Sequence, residues 1–241
     1  MIKNTKKISD NNDSALMRSA ESDIIENTED SKSFPVSYER IPHKKVPSDS
    51  RKLVVICAST GGPKALQTVL TGLPFNINAP VIIVQHMPTG FTASLANRLK
   101  AKTGLRVKEA EDGEKLEKGQ FYLAKGGKHL KIVRYRGSYK AVLSDDLPKN
   151  GLKPCADVLF ESLLKVDIDE VVCAVLTGMG KDGTDGIGKL SEKKNVYVIA
   201  QDEKTSTVYG MPHAIDAAGI TDEVLPLEEI PKAIERVTGT F

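Results

Sequence analysis

Residues 53–63 read LVVICASTGGP, six apolar residues followed by a small polar turn and a proline. A continuous apolar run is typical of a strand that helices cover on both faces of a parallel sheet. Glycine permits a sharp turn after such a strand, and proline suits the first position of the following helix. The stretch therefore predicts the strand–turn–helix unit of an α/β fold.

The same pattern recurs along the chain. Three more apolar runs predict central strands: PVIIVQ (80–85), VVCAVL (171–176) and VYVIA (196–200). Apolar residues spaced three and four apart predict surface helices: KALQTVLTGL (64–73), FTASLANRLKAKTG (91–104), ADVLFESLLKV (156–166), GIGKLSEKK (186–194) and LEEIPKAIERV (227–237). Strands alternating with helices indicate a doubly wound, mostly parallel sheet.

Two regions differ from this core. FYLAKGGKHLKIVRY (121–135) and SYKAVLSD (138–145) alternate polar and apolar residues around glycine-containing turns, which predicts a small antiparallel hairpin region. Residues 1–50 are rich in Ser, Asp, Glu, Asn and Lys and have only scattered apolar residues. Such a segment buries too little apolar surface to order itself, so we expect a disordered polar tail before one domain at 51–241.

Composition excludes several classes of function. The 241 residues carry 34 Lys and Arg against 32 Asp and Glu, a net charge of +2, whereas a nucleic-acid binder needs a larger basic surplus. No run approaches the roughly 18 apolar residues of a membrane-spanning helix, and the N-terminus lacks a signal-peptide core. We therefore expect a soluble, cytoplasmic protein that contacts neither nucleic acid nor the membrane interior.

Cysteine usage agrees with this expectation. Cys57, Cys155 and Cys173 are odd in number and far apart, so they form neither a disulfide framework nor a CxxC metal motif. The sequence predicts no metal ion and no organic cofactor.

Three polar residues follow three of the predicted strands. Ser59 comes directly after LVVICA, His86 directly after PVIIVQ, and Asp182 a few residues after VVCAVL. Right-handed crossovers place every loop that follows a strand at the same edge of a parallel sheet, so these side chains should meet there. A serine hydroxyl becomes a nucleophile when an imidazole takes its proton and a carboxylate orients that imidazole. The backbone N–H groups of Thr60 and Gly61 would then face the developing oxyanion.

Other interpretations of these residues remain open on the sequence alone. The STGGP turn (59–63) also suits a phosphate or nucleotide cradle at a helix N-terminus, although it lacks both the GxxxxGK[ST] and the GxSxG pattern. Taken singly, His86 could be a structural histidine and Asp182 the N-cap of the next helix. Their joint occurrence at one edge of the sheet favours catalysis.

At these positions the sequence resembles the chemotaxis receptor methylesterases of the CheB type. The resemblance covers most of residues 53 to 237 and rests on separate motifs in matching order: ASTGGP (58–63), QHMP (85–88), FTASLANRL (91–99), VKEAEDGEKLEKGQFYLA (107–124), GGKHL (126–130), DVLFESL (157–163), LTGMGKDG (176–183) and AQDEKTSTVYGMP (200–212).

The resemblance implies a doubly wound fold with Ser59 as nucleophile, His86 as general base and acid, and Asp182 as the orienting carboxylate. It implies hydrolysis of methyl-esterified glutamates on the cytoplasmic helical region of chemoreceptors, with deamidation of specific glutamines as a related activity. It also places Thr60 and Met179 at the site, in oxyanion or positioning roles.

A rim of three lysines, Lys125, Lys153 and Lys181, is expected to meet acidic side chains of the substrate helix, unless these lysines are ordinary solvated surface.

The sequence departs from this family's usual pattern in three ways. A segment of about 50 residues is too short for the receiver domain that usually precedes the catalytic domain, so no in-chain receiver is expected. Lys125 stands where proline is usual, and Lys153-Pro154-Cys155 stands where Arg-Pro-Ser is usual. These changes are expected to border the substrate. The expected lack of an in-chain receiver leaves room for an esterase that acts on another protein, or for a non-catalytic regulatory module of the same fold.

Overall fold

The central sheet has seven parallel strands, in a computed structural model that describes residues 37–239. The strand order is β3-β4-β2-β1-β7-β8-β9. The strands are β1 (Lys52–Ala58), β2 (Val81–Gln85), β3 (Arg106–Glu109), β4 (Gln120–Leu123), β7 (Glu170–Val175), β8 (Val196–Gln201) and β9 (Glu223–Leu225). Between β4 and β7, an antiparallel hairpin of β5 (His129–Tyr135) and β6 (Ser138–Ser144) forms a separate two-stranded sheet.

Helices cover both faces of the seven-stranded sheet, which confirms the doubly wound fold. One face packs against α1 (Gly62–Thr71), α2 (Phe91–Thr103) and α6 (Ile230–Thr238). The other packs against α3 (Ala156–Leu163), α4 (Thr184–Ser191) and α5 (Met211–Ala217). Residues 53–58 of β1 alternate between the two cores and all six are buried, so the apolar run of this strand is continuous.

The order of the strands creates a crevice between β1 and β7. From β1 the chain continues through β2 towards β3 at one edge, whereas from β7 it continues through β8 to β9 at the other. The loops that follow β1 and β7 lead to opposite faces of the sheet, so a crevice opens between them. Ligands of open α/β sheets bind in such a crevice, beyond the carboxyl ends of the strands. The fold therefore places its crevice beside Ser59, the residue that follows β1.

The structure differs from the sequence-based expectation in part of the hairpin region. Residues 129–144 do form an antiparallel hairpin, but residues 121–123 belong to the parallel sheet as part of β4. Phe121 and Tyr122 are both buried, because α2 and the hairpin cover opposite faces of this strand. The alternation of polar and apolar residues therefore wrongly predicted an antiparallel strand at this position.

The N-terminal segment also requires a correction. The expected disordered tail comprises residues 1–50; residues 1–36 lie outside the described residues, but 37–50 make specific contacts with the sheet edge and α4. Tyr38 donates a hydrogen bond to Asp185 (2.9 Å), and the Arg40 guanidinium donates to the carbonyl oxygen of Ile220 (2.7 Å). These contacts satisfy polar groups that lie at the margin of the domain, which is why a segment with little apolar content is ordered here.

None of the helices between residues 37 and 239 combines the length and the apolar character that crossing a membrane requires.

Candidate active site

Hydrogen bonds hold the backbone of Ser59, and no described residue occupies its hydroxyl. The Ser59 N–H donates to the carbonyl of Thr177 (3.0 Å), and the Ser59 carbonyl accepts hydrogen bonds from Gly62 N–H (2.8 Å) and the Gln85 side-chain amide (2.9 Å). The side chain is partly exposed, and it forms no hydrogen bond with any of residues 37–239. The loop thus fixes the position of the hydroxyl without occupying it.

His86 lies beside Ser59 at the end of the neighbouring strand. The register of β1 and β2 pairs Ala58 with Gln85, so the next residues, Ser59 and His86, continue side by side. Adjacent strands are about 4.8 Å apart, which is within reach of two side chains pointing the same way. The His86 N–H donates to the Ala58 carbonyl (3.1 Å), so the main chain at His86 still follows the strand pairing.

Asp182 completes the group from the loop before α4. Its Oδ2 lies 2.7 Å from Nε2 of His86, and only 2 % of its side chain is exposed, against 11 % for His86. An ionised carboxylate can only accept hydrogen bonds, so Nε2 of His86 carries the proton. The lone pair of Nδ1 is then the one available to take a proton from a hydroxyl.

The N-terminus of α3 cradles the Asp182 carboxylate. Oδ1 accepts the thiol of Cys155 (2.9 Å) and the N–H of Asp157 (3.0 Å), and Oδ2 accepts the N–H of Ala156 (2.6 Å) in addition to His86. Burial alone would raise the pKa of Asp182, but these donors outweigh burial and lower it below its usual value. Asp182 therefore stays ionised in a buried position.

Asp157, in α3, accepts hydrogen bonds from the N-terminus of α4, just as Asp182 does from the N-terminus of α3. Its Oδ1 accepts the N–H groups of Gly183 (3.0 Å) and Gly186 (2.7 Å) at the start of α4. Burial raises the pKa of Asp157. The alternative that Asp182 caps its own helix is therefore wrong: the carboxylate before α4 caps α3, and the carboxylate in α3 caps α4.

The turn after Ser59 presents unused backbone donors. Neither Thr60 nor Gly61 donates its N–H to any acceptor within the described part of the chain. Gly61 has φ +82°, and a Cβ there would lie 2.5 Å from Oγ1 of Thr207. Because only glycine tolerates both the left-handed backbone and the close neighbour, Gly61 fixes the direction of these two donors.

Gly178 brings the loop after β7 into contact with the serine. A Cβ at Gly178 would lie 2.8 Å from Cβ of Ser59 and 2.4 Å from Sδ of Met211. The next residue, Met179, is 72 % exposed. The structure therefore places Met179 on the open side of this loop, within three residues of Asp182 in sequence.

The three rim lysines differ in their surroundings. Lys125 forms an ion pair with Glu109 (3.4 Å), and Nζ of Lys153 donates to the Asp145 carbonyl oxygen (2.9 Å). The Lys181 side chain is exposed and forms no ion pair or hydrogen bond with any of residues 37–239, whereas the Lys181 backbone carbonyl accepts the Thr184 N–H (3.1 Å). Of the three, Lys181 alone offers an uncommitted charge.

Three residues of the site are not predicted as such by the sequence: Cys155, Asp157 and Gln85. Cys155 was expected to border the substrate but is 1 % exposed and contacts Asp182. Asp157 belongs to the DVLFESL motif, which by itself assigns it no role. Gln85, adjacent to His86 in the QHMP motif, donates its side-chain amide to the carbonyls of both Ser59 (2.9 Å) and His86 (3.2 Å). Its place at the last position of a buried strand was the available signal, because a buried amide needs polar partners.

Cys155, Asp157 and Asp182 also offer donor atoms close enough together to hold a metal ion, all within 4.8 Å of one another. The carboxylate oxygens of this group, however, accept N–H donors from the N-termini of α3 and α4. Helix N-termini favour anions, so the residues present do not fit a cation. The absence of a metal or organic cofactor stays a prediction.

A doubly wound sheet that gathers a serine, a histidine and an aspartate beyond its strand ends has the arrangement of a serine hydrolase. The family model of the CheB methylesterase matches residues 54–234. The chain therefore belongs to the CheB methylesterase family.

Similar proteins agree with this assignment. The chain is 49 % identical over 187 residues to the protein-glutamate methylesterase/protein-glutamine glutaminase of Geobacillus kaustophilus, covering 78 % of this chain and 54 % of that one. It is 44 % identical to the Bacillus subtilis protein of the same name, covering 79 % and 54 %. The chain thus spans about half the length of these curated relatives.

A crystal structure of the Thermotoga maritima CheB methylesterase catalytic domain is 41 % identical, with a TM-score of 0.75. That alignment covers 78 % of this chain and 98 % of the solved domain.

Proposed function

We propose that this chain is a protein-glutamate methylesterase that hydrolyses methyl esters of glutamate side chains. The observation that carries the proposal is the 2.7 Å contact between His86 and Asp182, beside a Ser59 hydroxyl that has no hydrogen-bond partner in the described part of the chain. The names of the relatives support the reaction. The proposed substrate is the methylated cytoplasmic helical region of chemoreceptors, and the proposed location is the cytoplasm.

The first step forms an acyl-enzyme. Nδ1 of His86 takes the proton of Ser59 as Oγ attacks the ester carbonyl, and the resulting imidazolium is stabilised by the ionised Asp182. The tetrahedral intermediate collapses when His86 returns the proton to the methoxy group, so methanol leaves. The glutamyl group is then bound to Ser59 through an ester.

The second step reverses the roles. His86 takes a proton from water, the hydroxide attacks the acyl carbonyl, and Ser59 leaves with the proton that His86 returns. In both steps the N–H groups of Thr60 and Gly61 stabilise the oxyanion, because they have no other acceptor among the described residues. Met179 is assigned to positioning the substrate at the exposed side of the site.

This chain has to recognise the part of the substrate protein that surrounds the ester, because a methyl group offers almost no surface to bind. Lys181 supports this part of the proposal, since its ammonium group is exposed, has no partner among the described residues and belongs to the residue just before Asp182. Lys125 and Lys153 already have partners and would exchange them to meet acidic side chains. A screened attraction of this kind weakens with salt, so kcat/KM should fall as ionic strength rises.

Glutamine deamidation is a second candidate activity, favoured by the glutaminase in the relatives' names. The same acyl-enzyme forms from a carboxamide, with ammonia as the leaving group in place of methanol. His86 would protonate the departing nitrogen as it protonates methoxide.

Methanol release from a methylated receptor tests the proposal. Ser59→Ala should lower kcat by about 10⁴- to 10⁶-fold and leave the circular dichroism spectrum unchanged, because it deletes covalent catalysis but little packing. Ser50→Ala, just before β1 at the opposite end of the strand, is the matched control and should turn over like the wild type.

Wild-type-like turnover by Ser59→Ala would contradict the mechanism. If the wild type released no methanol but cleaved esters of other proteins, the substrate assignment would fail. Binding of phosphate or nucleotide in calorimetry, without any ester cleavage, would favour the non-catalytic cradle instead.

A further inference from the structure

The position of the Asp182 carboxylate depends on which donors hold each of its oxygens. Oδ2 faces His86 and also accepts the Ala156 N–H, whereas Oδ1 faces away and accepts the Asp157 N–H and the Cys155 thiol. A carboxylate can rotate about its terminal torsion, because that torsion is broad. Two donors on Oδ1 restrict this rotation more than one does, and the second of the two is a side chain.

Cys155 has the geometry of a donor and the environment that keeps it protonated. It is the N-cap residue of α3, with an extended backbone, and its Sγ lies 2.9 Å from Oδ1 of Asp182. Burial, together with the negative charge of Asp182, raises the pKa of Cys155 to about 12. At neutral pH the group is therefore a thiol, which donates a hydrogen bond, and a thiolate would instead repel the carboxylate.

We propose that Cys155 is a positioning residue, whose buried thiol fixes Oδ1 of Asp182 so that Oδ2 stays directed at His86. Cys155 does not contact substrate in this assignment; it acts only through Asp182. For its effect on turnover the inference rests on the proposed esterase function, but its effect on Asp182 does not.

The predicted electrostatic effect has a definite direction. The titratable groups that act on or respond to Asp182 are His86 after β2, Cys155 and Asp157 on the α3 side and Cys57 on β1. Of these, His86 and Cys155 donate to the carboxylate and lower its pKa. Removing the thiol while retaining the others should therefore raise the pKa of Asp182.

Three variants separate positioning from packing. Cys155→Ala removes the donor, Cys155→Ser keeps a donor in the same place, and Cys173→Ala is the matched control, because Cys173 is an equally buried thiol in β7 without a hydrogen bond to the site. Two properties are measured: the pKa of Asp182 by ¹³C-carboxyl NMR without substrate, and kcat and KM for methanol release from a methylated receptor.

Cys155→Ala should raise the pKa of Asp182, lower kcat roughly 10-fold with KM within about twofold, and move the acid limb of the pH profile to higher pH. Cys155→Ser should recover most of each change. Cys173→Ala should lower the melting temperature without moving the Asp182 pKa or the pH profile. If Cys155→Ala does not fold, Cys155→Val, which fills the space without a donor, replaces it.

The proposal is overturned if Cys155→Ala leaves the pKa of Asp182 and kcat at their wild-type values. It is equally overturned if Cys155→Ala and Cys155→Ser are impaired to the same extent, since loss of packing alone would then explain both. A wild type that releases no methanol refutes the esterase proposal instead, and the NMR titration still decides the role of Cys155.

Discussion

At the scale of single residues, the charge of Asp182 is determined by a competition between burial and hydrogen bonding. Burial favours the protonated acid, while the His86, Cys155, Ala156 and Asp157 donors favour the anion, and the anion prevails. Because the folded-state pKa lies below the ordinary value, the folded protein holds this proton less tightly than the unfolded chain does. Asp182 therefore stabilises the fold above the unfolded pKa, and this contribution is lost as the pH falls through the folded pKa.

Asp182→Asn tests this linkage. The amide nitrogen of Asn cannot accept the hydrogen bonds that one carboxylate oxygen accepts now, so we expect a loss of about 1–3 kcal/mol in the free energy of unfolding at pH 7. The wild type loses the same charge in acid, so the difference in the free energy of unfolding between the two proteins should become smaller below about pH 4. Urea unfolding of both proteins from pH 7 to pH 3 measures it. A difference that stays constant over this range would show that Asp182 is not a linked anion.

The sequence identified part of this site and missed part of it for a physical reason. Ser59, His86 and Asp182 follow strand ends, and the crossover rule brings such positions together without knowledge of side-chain packing. Cys155 and Asp157 reach Asp182 through the end of a helix 25 to 27 residues away along the chain. That contact depends on how α3 and α4 pack against each other, and local sequence patterns do not predict this packing.

At the scale of elements, α3 and α4 approach each other closely at a glycine. A Cβ at Gly186 would lie 2.8 Å from Cβ of Phe160 and 2.9 Å from Cα of Asp157. Gly188, two residues further along α4, faces a different neighbour: its Cβ would lie 2.4 Å from the ring of Tyr38 in the N-terminal segment. The two positions share a helix and a residue type but differ in how easily the neighbouring atoms can move.

Gly186→Ala and Gly188→Ala should therefore have different effects. Each gains about 1 kcal/mol of helix propensity. Gly186→Ala should nevertheless be destabilised by up to about 2 kcal/mol overall, because backbone atoms of α3 must shift and overpacking typically costs about 1–3 kcal/mol. Gly188→Ala should stay within about 1 kcal/mol of the wild type, because the Tyr38 ring can move away. Thermal unfolding of the two variants gives the comparison, and equal melting temperatures would contradict it.

The accuracy of the element predictions follows the burial of each strand. β1, β2, β7 and β8 are long apolar runs and were located from the sequence, since covered strands have no polar face. β3 reads RVKE and β9 reads EVL, and both are edge strands with partly exposed residues. Short polar edge strands form because the adjacent strand offers hydrogen bonds, and that strand cannot be identified from the residues of the edge strand alone.

At the scale of the whole molecule, residues 37–50 run along the margin of the domain and hold together elements distant in sequence. Besides donating to the Ile220 carbonyl, Arg40 donates to the carbonyl of Val196 (3.1 Å) and the carboxylate of Asp222 (2.8 Å). Ile41 N–H donates to the Ser191 carbonyl at the end of α4 (2.8 Å). One guanidinium thus connects the N-terminal segment to the start of β8 and to the turn before β9.

Arg40→Ala should release this segment while leaving the sheet folded, because the segment has little buried apolar surface to retain it. Cleavage by chymotrypsin after Tyr38 should then become at least roughly 10-fold faster, because the lost hydrogen bonds of the charged guanidinium contribute about 1.5–3 kcal/mol. Lys45→Ala is the matched control, since Lys45 is exposed and has no hydrogen bond or ion pair among the described residues. Equal cleavage rates for the two variants and the wild type would mean that Arg40 does not hold the segment, because protease access reports the open population directly.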